Sequence, residues 1–269
     1  MNKRMKSFVA GITVASIVAV ASTVYAATVT INSDGANTGL TPLQIFQQYL
    51  GSDPVDGPTD SYHISETTSS YIAGNNVFQF KAGDASDTAA LDGSNTDRQR
   101  VEVKAYKGSP SNATASKDQT TTYKWKFRPM SPYPQSPSGN FHHIFQVKAV
   151  DGDDGYPILT FSVDGGNLKF KHSPIGADAS QVQTLAQTAF SNIDGQWVEA
   201  TVTMKHSDSG SINMTLKKLD GTTLMSYSGT KDNWRSGSTI NRPKWGIYRK
   251  LFTGIQEAKI QFADFQITE

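Results

Sequence analysis

The sequence predicts an all-β fold, a sandwich of two antiparallel sheets with one short N-terminal helix. Three observations carry this. Apolar and polar residues alternate with period two over many short runs, the pattern of strands with one buried face. Turn signals rich in Gly and Asp separate those runs at close spacing. The composition favours small polar and aromatic residues, with 22 Gly and 10% aromatics, over the Ala, Leu, Glu and Lys of helical bundles.

The first residues stand apart. Lys3, Arg4 and Lys6 precede an apolar run over residues 8–20, and small residues end in Val24-Tyr25-Ala26. This is the order of a secretory signal, with cleavage expected after Ala26. The run is short for a membrane span. Without residues 1–26 the chain keeps 22 basic and 24 acidic residues, a net charge of −2. The mature chain is therefore expected to be a secreted, soluble protein forming one domain over residues 27–269.

The segment 27–65 reads as a leader to the sandwich. Thr41 is an N-cap, Pro42 suits the first helical position, and Gln44 closes a capping box. Leu43, Phe46, Gln47 and Leu50 give two turns, which end at Gly51. Residues 52–60, rich in Pro, Gly and Asp, read as loop. Strands then follow near 77–80, 98–106, 123–128, 141–150, 157–163, 167–172, 196–204, 211–218, 222–227, 244–250 and 257–267. Asp151-Gly152, Asp164-Gly165-Gly166, Asp194-Gly195 and Asp220-Gly221 mark turns. So many short strands without a repeat suggest a jelly roll.

Composition excludes several classes. The chain has no Cys, so it has no disulfide scaffold, Cys-ligated zinc, iron–sulfur cluster or thiol nucleophile. Its nearly balanced charge argues against a nucleic-acid binder. The cations are nonetheless gathered on three strands. In Asp97-Arg98-Gln99-Arg100-Val101-Glu102-Val103-Lys104, alternation puts Arg98, Arg100, Glu102 and Lys104 on one face. An interleaved Glu102 can hold a neighbouring guanidinium in place. In Phe141-His142-His143-Ile144-Phe145-Gln146-Val147-Lys148, period two groups His142 with Gln146 and Lys148, unless a bulge turns His143 outward instead. In Arg242-Pro243-Lys244-Trp245-Gly246-Ile247-Tyr248-Arg249-Lys250, Arg242, Lys244, Tyr248 and Lys250 share a face, and Gly246 leaves space among them. Histidine is a plausible base near neutral pH, and a Tyr among cations can move protons. A solvated outer face is the plain alternative for each strand.

Together and in this order, the three strands resemble those of the jelly-roll polysaccharide lyases. Alginate lyases of that fold carry an R-x-E-x-[R/K] strand, a Q-I-H strand and a K-x-G-x-Y strand. Here stand Arg100-Val101-Glu102-Val103-Lys104, Gln146-Val147-Lys148 and Lys244-Trp245-Gly246-Ile247-Tyr248. Residues 243–249 are also similar to the Tyr-bearing strand of heparin lyases, and glucuronan lyases belong to the same wider group. The resemblance implies a concanavalin-like jelly roll and cleavage of a uronate polysaccharide by β-elimination. It implies that Arg100, Gln146 and Lys148 neutralise the uronate carboxylate, with Glu102 orienting Arg100. Tyr248 is then the acid and a candidate base. Arg98, Lys104, Lys244, Arg249 and Lys250 are expected to bind substrate. Lys148 stands where alginate lyases place a His, so the base is sought in His142, His143 or His63, or in Tyr248 itself.

Two other functions remain open at this point. A glycoside hydrolase needs two placed carboxylates, yet Glu66, Glu102, Glu199, Glu257 and Glu269 are the only Glu. A non-catalytic module for acidic glycans would use the same cations, with Trp125, Trp234 and Trp245 stacking on sugars. No cofactor is expected to be required, although Asp151-Gly152-Asp153-Asp154-Gly155 offers oxygens to a structural calcium. The expected partner is an anionic polysaccharide, with no nucleic acid, no membrane and a monomeric state.

Overall fold

The protein is described here by a computed structural model, which covers residues 27–269 except 37 and 177. The secretory signal read over residues 1–26 lies outside the described residues. The strands in chain order are β1 (Thr28–Ile31), β2 (Val55–Asp56), β3 (Ile64–Thr68), β4 (Asn76–Ala82), β5 (Leu91–Asp92), β6 (Asn95–Lys104), β7 (Thr120–Pro129) and β8 (His142–Val150). They continue with β9 (Leu159–Asp164), β10 (Asn167–His172), β11 (Gln183–Ala189), β12 (Val198–Lys205), β13 (Gly210–Lys218), β14 (Thr223–Lys231), β15 (Ile240–Lys250) and β16 (Ala258–Thr268). The first sheet runs β14-β13-β12-β7-β16-β4-β3, with β1 on β16. The second runs β11-β10-β9-β8-β15-β6-β2, with β5 on β6. All described pairings are antiparallel, so the fold is the expected jelly-roll sandwich.

Alternation builds the core. Tyr123, Trp125 and Phe127 of β7 and Phe145, Phe161 and Trp245 of the second sheet are buried between the sheets. Trp125 stacks on Phe145 at 4.2 Å between ring centroids and meets Trp245 edge-on at 6.1 Å. These two indoles are structural and present no ring to a sugar. Between β9 and β10, Gly165 and Gly166 both take positive φ, the geometry that a tight hairpin turn demands.

The helix α1 (Pro42–Leu50) forms as its caps predict. The Thr41 side chain accepts from the Gln44 amide, and the Gln44 side chain returns to the Thr41 amide at 2.9 Å. Its buried face places Phe46 against Phe78, 4.6 Å away. The leader is more integrated than expected. β1 pairs with β16, β3 pairs with β4, and residues 52–60, expected as loop, contribute β2 to the edge of β6. Among the described residues no helix is long and apolar enough to cross a membrane.

Candidate active site

The three cation-bearing strands are neighbours in the second sheet, in the order β8-β15-β6. Register fixes which side chains meet. Tyr248 lies opposite Arg100 on one side and His143 on the other. Lys244 lies between Lys104 and Gln146, Lys250 faces Arg98, and Arg242 faces Lys148. Val101, Val103, Phe145, Val147, Trp245 and Ile247 point into the core. The opposite face is therefore polar across all three strands. Thr160, Ser162 and Asp164 of β9 and Lys169 and Lys171 of β10 extend it.

One expectation needs correcting here. Strict period two would put His142 beside Gln146. A bulge between His143 and Phe145 inserts Ile144, which is buried, and reverses the two histidines. His143 joins Gln146 and Tyr248 on the polar face. His142 turns inward, is 1% exposed, and meets the Tyr133 hydroxyl at 2.9 Å. Burial, with Arg249 nearby, holds His142 neutral, well below the ordinary histidine range. It is a core histidine.

Arg249 also moves. It sits between Tyr248 and Lys250 on the core side, fully buried, where it donates to the Gln99 side chain and to the carbonyls of Ala82, Gly83 and Gln256. It ties β15 to the loop after β4 and presents nothing to a ligand. His63 lies elsewhere, between Asp60 at 2.8 Å and Asp87 at 3.2 Å. It lines a cleft of about 420 Å³ with Tyr62, Asp84, Asp87, Gln256 and Glu257. Such an acidic lining repels a polyanion. Gly246 does not open space. Its φ is +144°, and a Cβ there would stand 2.1 Å from the Val101 carbonyl oxygen. The glycine lets β15 press against β6.

At the centre, the Arg100 guanidinium lies over the Tyr248 ring, 3.9 Å from its centroid. Arg98 donates to the Tyr248 hydroxyl at 3.3 Å, and that hydroxyl donates to Asp92 Oδ2 at 3.3 Å. Asp92 Oδ2 also accepts from Arg100 at 2.9 Å. Burial opposes the charge on Arg100, but Glu102, Asp92 and Asp56 outweigh it and raise the pKa. Phe141 closes one side, 4.9 Å from Tyr248 and 5.4 Å from His143, ring to ring.

Beneath this lies a buried ion network. Glu102, fully buried, accepts from the Gln146 amide and from Lys244 at 3.2 Å, and stands 3.8 Å from Arg100 Nε. Asp56 pairs with Lys104 at 2.5 Å, Lys244 at 2.6 Å and Arg100 at 3.3 Å. Burial would raise the Asp56 pKa, but Lys244 and Lys104 overcome it and hold it well below the usual carboxylate range. Asp53 adds a second contact to Lys104 at 3.3 Å. Lys104 and Lys244 are thus floor cations, 7% and 1% exposed, each with a carboxylate in place. Their expected role as direct substrate ligands becomes one of supporting the floor. Lys250 is exposed at the strand end.

His143 is held as a neutral imidazole with one ring nitrogen engaged. Its Nδ1 lies 2.7 Å from Ser162 Oγ, and Ser162 gives its own hydrogen to Thr160 at 2.9 Å. Ser162 must therefore accept from Nδ1–H, which leaves the Nε2 lone pair free. Burial, then Lys171, Arg100 and Lys244, pushes the pKa down to about 3.

Sequence reasoning missed Asp53, Asp56, Asp92 and Ser162. Ser162 carried a signal, because Thr160, Ser162 and Asp164 alternate with buried Leu159, Phe161 and Val163. The aspartates carried none, since Asp56 and Asp92 stand in two-residue strands and Asp53 in the loop before β2. At the acidic turn, Asp151 pairs with Lys107 at 3.0 Å and Thr239 at 2.7 Å, and Asp153 accepts from the Gly176 amide at 2.7 Å.

A family model described as polysaccharide lyase matches residues 45–265. The chain belongs to the polysaccharide lyase family. It is an enzyme of the lyase class that acts on polysaccharides. No curated protein matches it. Among solved structures, a family 7 alginate lyase, A1-II', in complex with substrate is similar at TM-score 0.53 and 14% identity, over 88% of this chain and 90% of that one. The PL-14 alginate lyase from Aplysia kurodai gives TM-score 0.51 and 11% identity, over 88% and 97%. The GH131 β-glucanase catalytic domain from Podospora anserina gives 0.55 and 11%, over 88% and 95%. Likeness at this level is likeness of fold, and it spans lyases and a glucanase alike. The family match is what makes this chain a polysaccharide lyase.

Proposed function

We propose that this lyase cleaves a uronate-containing polysaccharide, glucuronan-like or a related polyuronide, by β-elimination on the polar face of the second sheet. The observation that carries the proposal is the register that sets Tyr248 between Arg100 and His143. The uronate carboxylate is taken up near Arg100 and Gln146, as the resemblance implies. Lys148, expected to join them, faces Arg242 far along β8 from His143 and takes no part at C5. Cations and amide donors there stabilise the charge that develops when C5 loses its proton. His143 Nε2 accepts that proton, because its lone pair is free and its imidazole is neutral. The C5–H electron pair forms the C4–C5 double bond, the C4–O bond breaks, and Tyr248 protonates the departing glycosidic oxygen. Arg98 and Asp92 hold the Tyr248 hydroxyl in place.

Hydrolysis is less well served. Asp56, Asp92 and Glu102 are each engaged by cations on this face, which leaves none of them free to serve as a general acid. The secretory signal read over residues 1–26 supports action outside the cytoplasm. The enzyme is proposed to act there as a monomer on an anionic polysaccharide, without a cofactor.

The purified protein is expected to raise ultraviolet absorbance from unsaturated uronates on one or more of glucuronan, alginate, pectate and glycosaminoglycans. Tyr248→Phe should abolish that rise while the fold persists. No rise on any of these polymers contradicts the proposal, and undiminished turnover by the variant removes Tyr248 from it.

A further inference from the structure

We propose that Arg242 and Lys148 form a carboxylate-binding subsite remote from Tyr248, so that the preferred substrate carries uronates on sugars well away from the bond that breaks. This rests on the reading of the protein as a uronate lyase, and it narrows that reading to polymers with repeated carboxylates.

The two residues face each other directly across β15 and β8. Like charges opposite one another on a sheet destabilise it. Elsewhere on this face such crowding is answered by acids. Arg98, Arg100, Lys104 and Lys244 each have a carboxylate within 4.0 Å. Among the described residues, neither Arg242 nor Lys148 does. Arg242 is fixed by one bond, from Nη1 to the Ala105 carbonyl at 3.3 Å, and its buried Nε has no partner. Asp56, Glu102 and Asp154 act on the pair only from beyond ion-pair distance. Burial lowers the pKa of both side chains, and Lys244 adds to this at Lys148. A half-buried cation pair without an anion is a costly arrangement that an incoming carboxylate relieves, and a guanidinium suits a planar carboxylate in a bidentate grip.

The position decides what the subsite reads. Arg242 lies six residues from Tyr248 along β15, roughly 20 Å of strand at 3.3 Å per residue. A single sugar ring cannot touch both. A chain running along β15 reaches the pair only with a second uronate several sugars from the first.

The test is calorimetric binding of glucuronan and of alginate, each also in carboxyl-reduced, neutral form, to the wild type and to Arg242→Gln with Lys148→Gln. The double substitution should weaken binding of an acidic polymer at least tenfold and leave the weak binding of the neutral forms where it was. Lys148→Arg, which keeps the charge, should retain affinity and guards against a folding artefact. Three results would overturn the subsite: unchanged affinity for the acidic polymers in the double variant, an equal loss for the neutral ones, or no binding of either acidic polymer by the wild type. Pair-dependent binding without turnover would retire the lyase reading and keep the subsite. Turnover with pair-independent binding would do the reverse.

Discussion

His143 shows how surroundings fit an ordinary residue for the role proposed for it. Free imidazole is half protonated near pH 6.5. Here burial and three surrounding cations push the pKa down to about 3, and Ser162 fixes the proton on Nδ1. On the proposed mechanism the base is neutral at any pH well above that value. It is lost only as pH falls through the depressed value, so kcat/KM should show no histidine limb between pH 5 and 7. A limb with its midpoint between pH 6 and 7 would contradict the assignment. His143→Ala should lower kcat by about 10²–10⁴-fold, the usual contribution of a placed acid or base. The residues that the sequence could mark were those on long alternating strands, such as Arg100, Gln146 and Tyr248. Asp56 and Asp92 are their counterions, yet they come from short edge segments in which no period can establish itself.

Elements turn those residues toward one another. Two irregularities matter most. The bulge at Ile144 exchanges His142 for His143 on the working face. The sequence permits either register, because Ile144 and Phe145 after the pair are both apolar and either can fill the core position, and only pairing with β9 and β15 decides between them. The second irregularity is at Gly246. Its φ of +144° and the closeness of the Val101 carbonyl exclude a side chain. Gly246→Ala should destabilise the fold by about 1–3 kcal/mol from backbone strain alone, with the clash added to that. Denaturant unfolding measures the loss, and a midpoint equal to wild type would show that β15 can retreat from β6. The helix was legible in detail, since Thr41, Pro42, Gln44 and Gly51 are local signals acting within a few residues.

Over the whole molecule, the two-sheet sandwich followed from alternation, but the strand order did not, because neighbours such as β6 and β15 are far apart in sequence. Their adjacency converts three separate charged stripes into one network, and a chain with nearly balanced charge into a local cation surface. The same packing makes the protein sensitive to acid. His142, His143, His172 and His206 all have pKa values lowered, chiefly by burial, to about 4 for His172 and about 3 for His143 and His206. Below pH 6.5 the unfolded chain takes up protons at these sites while the folded chain does not. Stability therefore falls as pH drops from about 6.5 toward 4, by about 1.4 kcal/mol per pH unit for each fully discriminating histidine. Melting temperatures across that range check this, and a Tm flat from pH 6.5 to 5 would show that the histidines are not held neutral.

The central claim is elimination on a fold that also serves a glucanase. Mass spectrometry of the products from a polyuronide digest tests it most directly. Elimination leaves each new non-reducing end unsaturated and one water lighter than its hydrolytic counterpart, and that lighter mass is predicted. New ends carrying the full hydrolytic mass would contradict the account.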